Sequence, residues 1–551
     1  MRHLTLAGLV VAAAAAGTAG AATAQARPTE ATAAARAVRA ASIRAHLEFL
    51  ADDALEGRAP ATRGGDIAAK YLRAEFQRLG LVPAGDSGGY FHRVPIIALT
   101  PAPVLSVRTG EAAARELRYR DDYVLWSMHD EPSVRAAGDL VFVGYGIVAP
   151  EQGWNDYAGT DVKGKIVVAL VNDPGLRDST IFRGKILTYY GRWTYKLEEA
   201  ERQGAAGILL IHTPESATYQ WGTVASSWTG PQVRVARAAG PLAVAGWLTE
   251  QSAAAIVGGT DALARLTDAA GRKGFKAVSL NASATAAVSS TIRRSETHNV
   301  VARLPGRGPR AAEAVLIGGH YDHLGVGVPV NGDSIYNGAV DNASGTAAML
   351  AAAEAMVAAG VKPARSILFM GFAAEESGLL GSTAFAARPT IPLRQIAAVL
   401  NVDVMNLGGR TRDVSALGTD QSSLGAVFTR AAAAEGLRVS VNQDALVRGS
   451  FFRSDHFPFA RAGVPALSLE GGEEFVGKPA GYAAQLGEDY GNRRYHQPSD
   501  EVLPSFDYEG AVQQVRVIVR TALAVAASPG QPSYNPGSEF RKAGEARVAR
   551  P

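Results

Sequence analysis

No cysteine occurs anywhere in the 551 residues, which excludes disulfides, a thiol nucleophile and lipid-modified cysteine. Beyond the first 26 residues no stretch reaches about 20 uninterrupted apolar residues, so no membrane anchor is indicated. Charge of one sign is not in excess either: 55 Lys and Arg stand against 52 Asp and Glu, a formal net charge of +3. With no lysine or arginine cluster, a nucleic-acid partner is excluded. What is present is 47% hydrophobic and 19% charged residues. A chain of this length and composition can bury a large core divided among two or three domains.

Residues 1–26 read as an export signal. Arg2 is followed by an apolar run from Leu4 to Ala16 and by small residues ending in Ala24-Gln25-Ala26, an A-x-A cleavage pattern. A periplasmic or secreted protein is expected. Between residues 40 and 80, "IRAHLEFLADDALEG" and "GGDIAAKYLRAEFQRLG" repeat apolar positions at helical spacing and end at glycines. From about residue 134 to 285 short β-rich runs such as "GDLVFVGYGIVAP", "VKGKIVVALVNDPG" and "GAAGILLIHTPES" suggest a compact unit of their own. After Asn299 strands alternate with helices, predicting an α/β fold with a mostly parallel mixed sheet covered by helices on both faces. The expected division is therefore 1–26 signal, 27–133 first part of the main domain, 134–285 insert, 286–528 remainder of the main domain, and 529–551 a disordered tail rich in Pro, Gly and charge.

Folds of this class place their chemistry beyond the carboxyl ends of the strands, and the polar outliers fall there. His320 and Asp322 follow "AVLIGG", Asp341 precedes a helix beginning near Ser344, Glu375 and Glu376 follow "ILFMGFAA", Asp403 sits inside "AVLNVDVMNL", and His496 lies in "RRYHQPSDE". Each alone has an ordinary explanation: a satisfied strand-end histidine, or an acid serving a helix N-terminus. Asp403 is harder to dismiss, because a carboxylate among apolar neighbours is costly unless a cation or several donors compensate it. Together the set has the composition of a site for two divalent ions, with two imidazoles and three carboxylates, one of them shared. Asp322, two residues after His320, is placed to hold that imidazole's second nitrogen. Of the adjacent Glu375 and Glu376, one can bind metal while the other stays free to accept a proton.

The blocks "GGHYDHLG", "GAVDNASGTAAML", "FAAEESGLLGS", "LNVDVMN" and "YHQPSD", in this order across residues 318–500, resemble the metal-site motifs of the co-catalytic dizinc aminopeptidases. That superfamily also holds glutamate carboxypeptidase and the transferrin receptor. The resemblance implies a zinc exopeptidase-like fold and two Zn2+ per chain. It places His320 and Asp403 on different metals joined by Asp341, with Glu376 and His496 completing the two shells, Glu375 as general base and Asp322 orienting His320. The insert is similar to a protease-associated domain. "FFRSDHFPFARAGVPAL" is similar to a pocket-lining segment, which makes His456 a weaker substrate-contact candidate; Tyr495 is another. His323 is a further histidine near the site.

The implied activity is hydrolysis of N-terminal residues from peptides or small proteins. Carboxypeptidase and glutaminyl cyclase activities on the same scaffold remain open. An aminopeptidase needs acidic groups for a free amine, and Glu470, Glu473 and Glu474 qualify; a carboxypeptidase needs arginines, and Arg448 and Arg453 qualify. A receptor-like peptide-binding protein and a two-metal phosphoesterase are the alternatives of other kinds. "GTDVKGKI" copies phosphate-loop spacing but has Ile166 where Ser or Thr should hold magnesium, so it reads as a turn leading into a strand. There is no H-E-x-x-H, and Ser344 lacks a G-x-S-x-G setting.

Overall fold

The computed structural model describes residues 29–217 and 219–549; the expected export signal lies outside them. Among the described residues no helix is long and apolar enough to cross a membrane. The main strands are β1 (Phe91–Thr109), β2 (Tyr123–Ser127), β3 (Ser133–Phe142), β4 (Ile166–Leu170), β5 (Gly207–His212), β6 (Val244–Thr249), β7 (Val278–Leu304), β8 (Ala314–His320), β9 (Ser366–Phe372), β10 (Ile396–Val402), β11 (Asp413–Leu417) and β12 (Ala466–Glu470). The helices that concern the site and its supports are α1 (Ala40–Leu50), α2 (Arg63–Arg78), α3 (Trp193–Arg202), α4 (Ser344–Ala358), α5 (Leu380–Ala387), α6 (His456–Arg461), α7 (Glu509–Ala527) and α8 (Arg541–Ala549).

In the main domain the strands lie in the order β11, β12, β10, β8, β9, β7. β8, β9, β10 and β12 are parallel, and the flanking β11 and β7 are antiparallel to their neighbours, so the expected mixed, mostly parallel sheet is present. Its central strands are continuous apolar runs because both faces are covered. Val315, Ile317, Ile367 and Phe369 point into a core shared with α1, α2, α4 and α7. Leu316, Leu368, Met370 and Val399 point the other way, toward Phe385 of α5 and Phe459 of α6. Burying each such side chain contributes about 1.5–3 kcal/mol. The start of α4 packs so closely that a Cβ on Gly345 would stand 2.5 Å from the Val402 carbonyl oxygen, which requires glycine there.

The insert joins this sheet rather than standing apart. β7 is 27 residues long: its end, Val300–Leu304, pairs with β9, while Ser283–Ser289 pairs with β3. The sheet then continues through β3, β4, β5, β6 and β2. Two expectations need correction. The insert begins before residue 134, since β2 (Tyr123–Ser127) pairs with β6 of the insert, and its pairing runs past 285 to Ser289. β1 and β7 pass from one unit into the other without a break, so no change of composition marks the border.

The tail from residue 529 is ordered, not disordered. Phe540 is buried, Tyr534 donates to the Val464 carbonyl at 2.7 Å, and Arg547 of α8 donates to the carbonyls of Gly463, Leu393 and Ile396 at 2.8–3.0 Å. Three anchors hold a segment whose composition alone suggests solvent.

Candidate active site

Each candidate residue sits just beyond the carboxyl end of a strand, or on a loop folded over those ends. His320 ends β8, Glu375 and Glu376 follow β9, and Asp403 follows β10. Asp341 lies in the turn that enters α4, and His496 in the loop before α7. The turn 339–343 is held from that same loop, because the buried Asp500 carboxylate accepts the main-chain N–H of Val340 and of Asp341, each at 3.1 Å.

The side chains converge. His320 Nε2 is 3.3 Å from Asp341 Oδ1 and 3.4 Å from Asp403 Oδ1. His496 Nε2 is 3.3 Å from the other Asp341 oxygen, Oδ2, and 3.1 Å from Glu376 Oε2. Asp341 thus turns one oxygen to each of two separate groups of donors, and the division corrects the expected one: His320 and Asp403 stand together on one side of Asp341, and Glu376 and His496 together on the other, rather than being split between the two. The separations fit a metal: tetrahedral zinc with ligand bonds of about 2.0–2.1 Å spaces its ligands by about 3.3 Å. The donors also include atoms that hydrogen bonding within the protein leaves unsatisfied. Glu376 Oε1 and His496 Nε2 are buried and without a hydrogen-bond partner, a condition buried polar atoms rarely tolerate.

The electrostatics agree. Burial would lower the His320 pKa, but Glu375, Asp403 and Asp341 hold it well above the usual imidazole range. Burial acts the same way on His496, and Asp341 and Glu376 push it up to about 10. Carboxylates outnumber the imidazoles, so the cavity attracts cations. Glu375 differs from its neighbour. Its Oε2 is 4.0 Å from His320 Nε2, and burial, then Asp403, Asp455 and Glu376 acting against the opposite pull of His320, leave its pKa well above the carboxylate range.

Asp322 occupies a different role from the expected one. His320 Nδ1 meets the main-chain carbonyl of Asp322 at 3.2 Å, whereas the carboxylate is 3.9 Å away. The carboxylate instead accepts the Glu375 N–H at 3.1 Å and so fixes the turn carrying both glutamates. His456 is a second correction: it is fully buried, with its ring edge-on to Phe451 at 4.6 Å, and burial depresses its pKa to about 3. It has no surface to offer a substrate. Tyr495 is at the mouth, 48% exposed and stacked on His496 at 3.9 Å.

Several residues were not legible as part of the site. Arg58 is fully buried and donates to the carbonyls of Tyr321, Leu50, Asn337 and Gly338, bracing the loops that carry His320 and Asp341; nothing in "LEGRAP" signals this. Ser454 donates to Asp403 Oδ2 at 2.5 Å, and Asp500 was visible only as the end of "YHQPSD". Of the three glutamates considered for amine binding, Glu470 ends β12 beside Asp403, since Val402 and Leu469 are paired in register. Glu473 and Glu474 turn their main-chain amides to Asp413, and Glu474 pairs with Arg438.

The chain is similar to several known peptidases. A leupeptin-inactivating enzyme 1 of Streptomyces exfoliatus is 29% identical over 209 residues, 37% of this chain and 43% of that protein. A probable leucine aminopeptidase 1 of Trichophyton verrucosum is 33% identical over 162 residues, 29% of this chain and 37% of that protein. The chain thus spans less than half the length of these relatives. Among solved structures, an aminopeptidase from Aneurinibacillus sp. strain AM-1 covers 91% of this chain and 97% of its own at 20% identity, with a TM-score of 0.44. Residues 299–520, the segment that contains His320, Asp341, Glu375, Glu376, Asp403 and His496, match the family model for peptidase family M28.

Proposed function

We propose that the protein is an exported dizinc metallo-aminopeptidase that removes N-terminal residues from peptides. The observation that carries this is the division of Asp341, one oxygen facing His320 and Asp403 and the other facing His496 and Glu376. Zinc ions held by these residues would supply Lewis acidity toward the scissile carbonyl and bring the pKa of a water to about 7. Glu375 is the general base in this reading. It stands beside the cluster without joining either set of Asp341 contacts, and its backbone is held by Asp322, which leaves its carboxylate free to take a proton.

Amine recognition falls to Glu470. It follows Leu469, the register partner of Val402 beside Asp403, and burial, then the Asp403 charge, pushes its pKa up to about 8. The insert is read as a protease-associated-type module by its place in the chain. The test is hydrolysis of a leucine chromogenic amide against its N-acetylated form, with metal analysis of the purified protein. Two zinc ions per chain, cleavage of the free-amine substrate only, and loss of turnover with chelator are expected. Equal cleavage of the blocked substrate, or no zinc, would overturn the proposal.

A further inference from the structure

We infer that His323 is a third imidazole ligand of the metal centre, on the side of Glu376 and His496, so that the two metal positions are unequal by construction. This rests on the two-metal reading above. His323 lies three residues beyond His320, past the end of β8, and is fully buried. Its Nδ1 stands 2.7 Å from Glu376 Oε1, its ring centroid 5.6 Å from that of His496, and its donor atoms lie with those of Asp341 and Glu376 within 4.8 Å of one another. Despite the 2.7 Å approach, neither His323 Nδ1 nor Glu376 Oε1 has a hydrogen-bond partner, and His496 Nε2 has none. Buried donors of these types gathered this closely have the composition of a ligand set around an ion.

The backbone makes room for this. Gly338, at φ +55°, faces the ring, and a Cβ there would stand 2.4 Å from His323 Cγ. A larger residue would drive the imidazole out of its position.

The consequence is an asymmetric pair. One position has Asp341, Glu376, His496 and His323, four protein donors, the number that closes a tetrahedral site. The other has His320, Asp341 and Asp403, three donors, which leaves an open position as catalytic sites do. Glu375, 4.0 Å from His320 Nε2, is on that open side. The closed position therefore fills first and releases last, and substrate meets the ion held by His320 and Asp403.

The test is cobalt titration of the metal-free full chain followed by proton NMR, in which each cobalt-bound imidazole contributes one exchangeable, hyperfine-shifted ring N–H. The first equivalent is expected to bring up two such resonances, from His323 and His496, and the second equivalent a third, from His320. His323→Gln, which keeps a hydrogen-bonding group beside Glu376, is expected to bind two ions with only two resonances, one per equivalent. Affinity alone does not discriminate, because loss of an outer partner also weakens metal binding, by roughly 10–100-fold; the imidazole count does. Two resonances in the fully loaded wild type, or an unchanged count in His323→Gln, would overturn the ligation while leaving the two-metal reading intact. Uptake of fewer than two cobalt ions by the wild type would overturn both.

Discussion

The carboxylate of Asp500 accepts the main-chain N–H of Asp341 at 3.1 Å, which ties the loop carrying His496 to the turn carrying the shared carboxylate. Asp500→Ala leaves the Val340 and Asp341 amides unpaired in a buried place, and each such loss costs about 1–3 kcal/mol. A decrease of at least about 2 kcal/mol in urea denaturation is expected, with zinc held roughly 10-fold more weakly. Asp500→Asn, which keeps an acceptor oxygen, is expected to fall between. Wild-type values for the alanine variant in both measurements would show that the clamp does not set the metal geometry.

Glu375→Gln preserves shape and the Asp322 contact to the backbone but removes the proposed proton acceptor. A fall in kcat of roughly 10²–10⁴ is expected with zinc content unchanged. Glu376→Ala is expected to lose metal as well as turnover. Steady-state kinetics paired with metal analysis separates the two adjacent glutamates, and near-normal kcat in Glu375→Gln would reject its role as base.

Glu470→Gln tests amine recognition. A charged hydrogen bond contributes about 1.5–3 kcal/mol, so kcat/KM for free-amine substrates is expected to drop about 10–100-fold, carried mainly by KM. An unchanged KM would remove Glu470 from the substrate site.

The buried His456 predicts acid sensitivity of the fold. Folded, its imidazole stays neutral down to about pH 3 because burial opposes the charge; unfolded, it takes a proton near pH 6.5. The unfolded chain binds more protons throughout that window, so this contribution is complete above pH 6.5 and is lost as the pH falls. Between pH 7.5 and 5 the loss is about 2 kcal/mol. In chelated protein the difference in urea stability between these two pH values is expected to shrink by that amount in His456→Leu. An identical pH slope in variant and wild type would contradict it.

Phe540→Ala tests whether the last segment belongs to the folded body. Removing a buried Phe costs about 3–5 kcal/mol, measurable as a lowered midpoint in thermal or urea unfolding. A variant as stable as wild type would mean that the contacts of residues 529–549 contribute nothing.

The central strands were legible because they are buried on both faces, so β8, β9 and β10 read as unbroken apolar runs with a polar residue at each carboxyl end. That pattern placed His320, Glu375, Glu376 and Asp403, and the structure gathers all of them with Asp341 and His496. What failed depended on pairing across long sequence separation. β1 and β7 look like ordinary alternating strands, and only their pairing over Phe91–Thr109 shows that they run through both units. The tail misled because its composition is polar, while its order rests on Tyr534, Phe540 and Arg547. Asp322 misled because in a chain turning this tightly a carbonyl and a carboxylate of one residue compete for the same imidazole; the carbonyl lies closer.

The sequence by itself determined the donor inventory and the strand ends on which it is displayed, because residue type sets chemistry and apolar periodicity sets which segments become buried strands. Only the tertiary structure decided which oxygen of Asp341 faces which histidine, that His323 enters the cluster while His456 is sealed in the core, and that Arg58 and Asp500 brace the site. These are matters of distance and direction between side chains far apart in the chain, fixed by packing to fractions of an ångström, and no local pattern of residues encodes them.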